Sequence, residues 1–218
     1  MFPETGLVTG SAGGIGRAIV DRLEGEGADV LGLDLVTGFD VSDPTAWESV
    51  DRVALACLNA GIGTGIASIR ELTAEQYRRV VGTNVDGVVY GVRRLARVMD
   101  EGDAIVVTAS LAGLTTMVLD PIYSGTKHFL IGFVRSVAPQ LAERGITINA
   151  ICPGVVDTPM LDPIRDRLAT TEIELLRPEE IADAVLMAAR DGSTGEAWTC
   201  LPGRPPERFE FHRFFDSA

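Results

Sequence analysis

Short apolar runs alternate with amphipathic stretches along most of the chain. Gly6-Leu7-Val8, Val30 to Leu33, Gly38 to Val41, Val53 to Leu58, Ala104 to Thr108, Thr147 to Ile151 and Ala197 to Leu201 have strand length and little polar interruption. Runs of this kind fit strands buried on both faces. Between them the apolar period changes to that of a helix. Ala18, Ile19 and Leu23 share one face. Thr73 and Gln76 have capping-box spacing at the start of a long helix whose inward stripe is Tyr77, Val81, Asn84, Val85, Val88 and Val92. Ile122 to Leu141 forms another helix, and Pro178 opens a last one with Ile181, Ala184, Val185 and Ala188 inside. The alternation predicts an α/β protein: a Rossmann-type, doubly wound parallel sheet of about seven strands in the order 3-2-1-4-5-6-7, with helices on both faces. One link departs from that plan. Only Leu35 to Phe39 separate Asp34 from Asp40, whereas a parallel crossover takes about a dozen residues or more. The helix between strands two and three is therefore expected to be missing and strand three to be short or irregular.

Composition narrows the class further. A chain of 218 residues with 46% hydrophobic content can bury a sizeable core, which fits a single domain over 1–218. Residues 155–177 would form a substrate lid and 203–218 an aromatic tail. The net charge of −12 argues against nucleic acid or an anionic membrane as partner. Cys57, Cys152 and Cys200 show neither a metal spacing nor a disulfide framework and read as buried thiols of a reducing cytosol. His128 and His212 have no ligand partners in spacing, so no metal is expected. No signal peptide or membrane-length apolar run is evident, and a soluble, cytoplasmic protein is the expectation.

Two motifs carry chemistry. Thr9-Gly10-Ser11-Ala12-Gly13-Gly14-Ile15-Gly16 lies between the first strand and the first helix. Glycines there let the backbone turn tightly and approach a pyrophosphate at the helix N-terminus. Tyr123 and Lys127 sit one helical turn apart, downstream of Ser110 at the end of an apolar run. An ammonium beside a phenol favours the phenolate, and a neighbouring serine hydroxyl can hold a substrate oxygen. By itself the pair also fits a tyrosine packed beneath a snorkelling lysine.

Taken together these residues resemble the short-chain dehydrogenase/reductase family, from about residue 5 to 160. The glycine pattern is matched by Thr9, Gly10, Gly14 and Gly16, the motif after the fourth strand by Asn59-Ala60-Gly61, the helix asparagine by Asn84, and the catalytic trio by Ser110, Tyr123 and Lys127. Pro153, Gly154 and Thr158 match a downstream segment that holds the nicotinamide amide. Ser110 to Gly113, Ser124 to His128 and Ile148 to Gly154 look most like the NAD-dependent hydroxyprostaglandin dehydrogenase branch. The resemblance implies catalytic roles for Asn84, Ser110, Tyr123 and Lys127, with Asn84 anchoring a water. It implies cofactor contacts from Gly10, Gly14, Ile15, Gly16, Asp34, Asp40, Val41, Asn59, Ala60, Gly61, Tyr123, Lys127, Pro153, Gly154, Val156 and Thr158. Asp40 and Val41 stand beside the trimmed crossover and are the less secure of these. The resemblance also implies a homodimer or homotetramer through the helices bearing Asn84 and Tyr123.

Asp34 ends strand two, where a carboxylate accepts hydrogen bonds from ribose hydroxyls and repels a 2′-phosphate. With Leu35 following and Gly13 in the turn, no nearby cation offsets that repulsion, so NAD is favoured. The expected reaction interconverts a secondary alcohol and a ketone. An NADPH-dependent ketone or ketoacyl reductase and a non-catalytic NAD-binding regulator are the alternatives. Met160, Leu161, Ile164 and Leu168 of the lid, with Met117, Val118 and Leu119, suggest a moderately apolar substrate. Phe209, Phe211, Phe214 and Phe215 suggest a tail that packs on a neighbouring subunit.

Overall fold

A computed structural model describes residues 3–168 and 170–212. Seven strands form one sheet in the order β2-β1-β3-β4-β5-β6-β7. They are β1 (Thr5–Thr9), β2 (Asp29–Leu33), β3 (Leu55–Leu58), β4 (Ala104–Thr108), β5 (Thr147–Pro153), β6 (Ala197–Cys200) and β7 (Glu207–Arg208). The first six are parallel and β7 is antiparallel. Helices α1 (Gly14–Gly25) and α6 (Pro178–Arg190) cover one face; α3 (Gly87–Val98) and α4 (Pro121–Ala142) cover the other. Ile19, Leu23, Ile181 and Val185 fill the first layer, and Val92, Leu95, Leu130 and Val134 fill the second. The doubly wound architecture predicted by the alternation is present.

Strand three is not. At its expected position the chain folds into a 3-10 turn, Leu35–Thr37, capped by the Asp34 carboxylate and closed by Gly38 in the left-handed region at φ 89°. Phe39 N–H returns to the Asp34 carbonyl at 2.9 Å, which bends the chain off the sheet edge. Beyond it, Trp47 is 2% exposed and donates Nε1–H to the Val41 carbonyl at 2.9 Å. Phe39 meets Trp47 edge-on at 5.2 Å. This aromatic plug packs on α3 through glycines: a Cβ at Gly91 would stand 2.7 Å from the Trp47 ring and one at Gly87 2.8 Å from Val41.

The helix opened by Thr73 has the expected capping box with Gln76. Its buried stripe, however, runs through Val80, Asn84, Val88, Val92 and Leu95, and Tyr77 is 47% exposed. The physical reason is a π turn, Gly82–Asp86, between α2 (Ala74–Val81) and α3. A π turn adds a residue to the helical repeat and shifts the phase of everything before it. Asn84 stands in that turn with no exposure.

The described part of the tail folds onto its own chain. Glu207 and Arg208 pair with Thr199 and Trp198, Phe209 N–H bonds the Ala197 carbonyl, and the Phe211 ring lies 3.7 Å beneath the Arg135 guanidinium. These residues are thus held by their own chain; Phe214 and Phe215 lie outside the described residues.

Candidate active site

The site lies at the carboxyl ends of β1, β3, β4 and β5. In open α/β sheets the crevice there takes ligands because several helix N-termini and loops converge on it. Thr9 ends β1 and is 2% exposed. Its Oγ1 accepts the N–H groups of Asn59 and Ala60 at 2.9 and 3.0 Å, while Asn59 Nδ2 donates to the Thr9 carbonyl at 3.1 Å. The first residue of the glycine motif thus fastens the Asn59-Ala60-Gly61 segment to the glycine turn, a function that spacing alone did not reveal.

The turn itself requires glycine at three places. Gly10 has φ 66° and a Cβ there would fall 2.9 Å from the Ala60 Cα. One at Gly16 would be 2.0 Å from the Gly10 carbonyl oxygen, and one at Gly14 2.7 Å from Thr158. These contacts bring Thr158 and Asn59 against the start of α1. Helix α1 has no side-chain cap and no acidic residue in its first turn, so its N–H groups and positive end face the crevice. A phosphate-bearing cofactor fits that surface. Ile15 packs against the first core layer, and the Val156 side chain is buried in the same layer, so it is the backbone groups of these two residues that are left for a ligand. Pro153 ends β5, and Gly154 N–H bonds the Cys200 carbonyl at 2.9 Å.

Asp34 reaches across the turn. Its Oδ2 accepts Ala12 N–H at 3.0 Å and its Oδ1 accepts Val36 N–H at 3.1 Å. Each oxygen retains a lone pair for a ribose hydroxyl. One oxygen of Asp40, Oδ1, accepts both the N–H and the hydroxyl of Ser42, and the Val41 side chain is buried against Gly87.

Tyr123, Lys127 and Ser110 come together as predicted. Ser110 caps a 3-10 turn after β4, its Oγ accepting Ala112 N–H at 3.1 Å, and its side chain lies close enough to the Tyr123 hydroxyl to favour the phenolate. The Lys127 ammonium is 3% exposed, donates to the Thr108 carbonyl at 2.8 Å and stands 5.4 Å from the centre of the Tyr123 ring. Burial drives both groups toward neutrality. The tyrosine's pKa is raised chiefly by burial, with Ser110 opposing and Asp120 adding to the rise; the lysine is pushed down to about 8 by burial. The expected acidification of Tyr123 by Lys127 is therefore not a property of the protein alone, because the ammonium is turned to Thr108.

Asn84 is tied on all sides. Its Oδ1 accepts Ile62 N–H at 2.8 Å, and its Nδ2 donates to the Ile62 carbonyl at 2.9 Å and to Thr126 Oγ1 at 3.0 Å. Thr126 donates in turn to the Tyr123 carbonyl at 2.7 Å. The carboxamide is thus a strut between the 61–66 loop and α4.

The 155–177 segment, which carries the short helix α5 (Arg165–Leu168), is pinned at its base, where Val156 bridges Leu176. Met160 and Ile173 point to solvent at 51% and 48% exposure. The side chain of Ile164 lies outside the described residues. All three cysteines are buried, and no group of His, Cys, Asp and Glu among the described residues could hold a metal. No described helix is long and apolar enough to cross a membrane.

Comparison with known proteins agrees with this geometry. The short chain dehydrogenase family model matches residues 44–169. An uncharacterized short-chain type dehydrogenase/reductase of Sinorhizobium fredii is 32% identical over 84% of this chain, which spans 40% of that protein's length. A levodione reductase of Leifsonia aquatica is 30% identical over 90% of this chain and 91% of its own. The fold superposes with a TM-score of 0.77 on a short chain dehydrogenase of Burkholderia cenocepacia in complex with NADP, at 24% identity, covering 91% of this chain and 96% of that one. The chain belongs to the short-chain dehydrogenase/reductase family, oxidoreductases that bind a nicotinamide cofactor and act on small molecules.

Proposed function

We propose that the protein is an NAD(H)-dependent oxidoreductase that interconverts a secondary alcohol and a ketone. The observation that carries the reading is the buried ammonium of Lys127, 5.4 Å from the centre of the Tyr123 ring, with Ser110 beside the same tyrosine. A structural tyrosine would need only one partner and no buried cation at its side. When bound, NAD supplies the hydride acceptor and a positively charged ring. Tyr123 takes the hydroxyl proton as the hydride leaves the carbinol carbon, and returns it in ketone reduction. Ser110 orients the substrate oxygen. Lys127 has donors to spare beyond Thr108 and would hold the nicotinamide ribose, next to the tyrosine whose anion it then favours. Asn84 keeps α4 and the 61–66 loop in register. The glycine turn, Asn59-Ala60-Gly61, Pro153, Gly154, Val156 and Thr158 would line the cofactor.

Asp34 supports NAD over NADP, since a carboxylate at the end of β2 would repel a 2′-phosphate and no cation pairs with it among the described residues. Exposed Val118 and Leu119 and the lid's Met160 favour an apolar substrate. A homodimer or homotetramer fits α4, whose Phe129 is 43% exposed and stacked on Phe133.

A panel of secondary alcohols with NAD or NADP, followed at the absorbance of the reduced nicotinamide, tests catalysis and cofactor together. Turnover with NAD is expected, and turnover with NADP alone would make the protein an NADPH-dependent reductase. Tyr123→Phe should lower kcat by roughly 10²–10⁴-fold with dinucleotide affinity nearly unchanged. A variant that keeps most of its activity would remove the proton-transfer assignment.

A further inference from the structure

The loop after Asn59-Ala60-Gly61 is held at three points, and all of them lead to α4. Gly61 lies against Lys127, where a Cβ would stand 3.3 Å from Nζ. Ile62 exchanges both of its backbone groups with Asn84. Thr64 and Gly65 donate to one oxygen of Asp120 at 2.6 and 3.1 Å. The other oxygen of Asp120 accepts Tyr123 N–H at 2.9 Å as the N-cap of α4. The loop thus crosses beside the first turn of the helix, from Lys127 to the cap, alongside Tyr123. Asp120 is 8% exposed, and no cation pairs with it among the described residues. Capping needs a single oxygen, which Ser or Asn supplies equally well. A buried, uncompensated carboxylate exceeds that need, and its second oxygen serves the loop alone.

Resting on the alcohol–ketone reading, we propose that Asp120 is a positioning residue whose carboxylate locks the 62–66 loop to the first turn of the Tyr123 helix, so that loop and tyrosine meet the substrate as one rigid surface. Its charge has a second consequence. The groups that face Tyr123 are Asp120 and Lys127 from α4 and Ser110 from the end of β4, with Cys152 of β5 near Lys127 and Ser110. Among them Asp120 opposes a phenolate and Ser110 favours it. Removing the Asp120 charge moves the tyrosine's ionisation to lower pH.

Asp120→Asn tests both parts. The amide keeps one oxygen for the cap but turns an N–H₂ donor toward donors at Thr64 and Gly65. Hydrogen exchange in peptides covering 61–68 should quicken about tenfold for the loss of a net bond to a charged acceptor, with the rest of α4 unchanged. The KM for the best alcohol should rise by a similar factor, and the acidic limb of kcat/KM should move to lower pH, which a merely structural residue would not cause. Asp120→Ser, which caps the helix but cannot span to the loop, should loosen the loop equally and serves if the amide variant does not fold. Unchanged loop exchange together with an unmoved acidic limb overturns the proposal. The exchange readout needs no turnover, so a wild type that oxidises no alcohol defeats the functional reading while the anchoring is still judged by itself.

Discussion

The two ends of the strand-carboxyl crevice are built by opposite means. At the Tyr123 end, polar groups are buried and each is tied to named partners: Lys127 to Thr108, Asn84 to Ile62 and Thr126, Asp120 to three N–H groups. At the Asp34 end a crossover helix and strand three are gone, and Trp47, Phe39 and Val41 fill the space as an apolar plug. A buried ammonium or carboxylate cannot lose a partner without a large cost, so the first end admits little trimming. Apolar packing asks only for volume and shape, so the second end can shorten its chain and close over what remains. The proposed chemistry thus lies at the end that hydrogen bonds make rigid, and economy of chain at the end that packing can repair.

Breaking the plug should separate stability from chemistry most sharply. Trp47→Ala removes a buried indole from between Val41, Phe39 and α3 and should cost about 3–5 kcal/mol, lowering Tm by roughly 10 °C for a domain of this size. With saturating cofactor, kcat at temperatures where the variant is folded should stay within about twofold of wild type. A collapse of kcat without a fall in Tm would show that the two ends are not independent.

The reverse experiment is made at Lys127. Burial lowers its pKa from 10.5 to about 8, whereas the unfolded chain holds the proton to about 10.5. Between those values the unfolded state binds more protons, so this group makes stability rise with pH through the window, and its full penalty is present below pH 8. The penalty is about 3 kcal/mol, less about 1 kcal/mol for the bond to Thr108. Lys127→Met should abolish turnover and yet stabilise the cofactor-free protein at pH 7 by about 2 kcal/mol. Cys57, Cys152 and Cys200, each raised by burial to about 12, act in the opposite direction above pH 9. The test is therefore the difference between wild-type and variant denaturation curves across pH 7–10.5. A difference that does not shrink as pH rises would disprove the linkage.

The same contrast explains which features were legible in the sequence. Strands such as Ala104–Thr108 and helices such as Pro121–Ala142 announce themselves through local period and caps, and Ser110, Tyr123 and Lys127 through spacing within or next to those elements. The missing crossover helix followed from chain length alone. What replaced it did not: Trp47 finds Gly91 and Val41 across sequence separations that no period encodes. The π turn at Asn84 was hidden because one added residue changes phase without changing composition, which put Tyr77 on the wrong face. The fastening role of Thr9 and the whole of Asp120 were missed for a related reason. Their hydrogen bonds run to backbone N–H groups, and every residue type but proline supplies one.

The smallest effect sharpens the comparison at the boundary between the two ends. Asp34 belongs to the plug by its backbone, which closes the 3-10 turn onto Phe39, and to the cofactor side by its carboxylate. Asp34→Ala removes the ribose acceptor and the charge, and also the bonds to Ala12 and Val36. Affinity for NAD should fall about tenfold for one lost charged hydrogen bond, about 1.4 kcal/mol, while affinity for NADP rises because the repulsion of the 2′-phosphate is gone. Replacing Asp34 by Asn separates these causes: the carbonyl oxygen still caps Val36 N–H, so the turn persists, while the charge and the bond from Ala12 N–H are lost. If the Asn variant gains NADP affinity and keeps Tm, discrimination resides in the carboxylate. If both variants lose NAD and NADP equally, Asp34 acts only by shaping the turn, and the trimmed end contributes form to the site without selectivity.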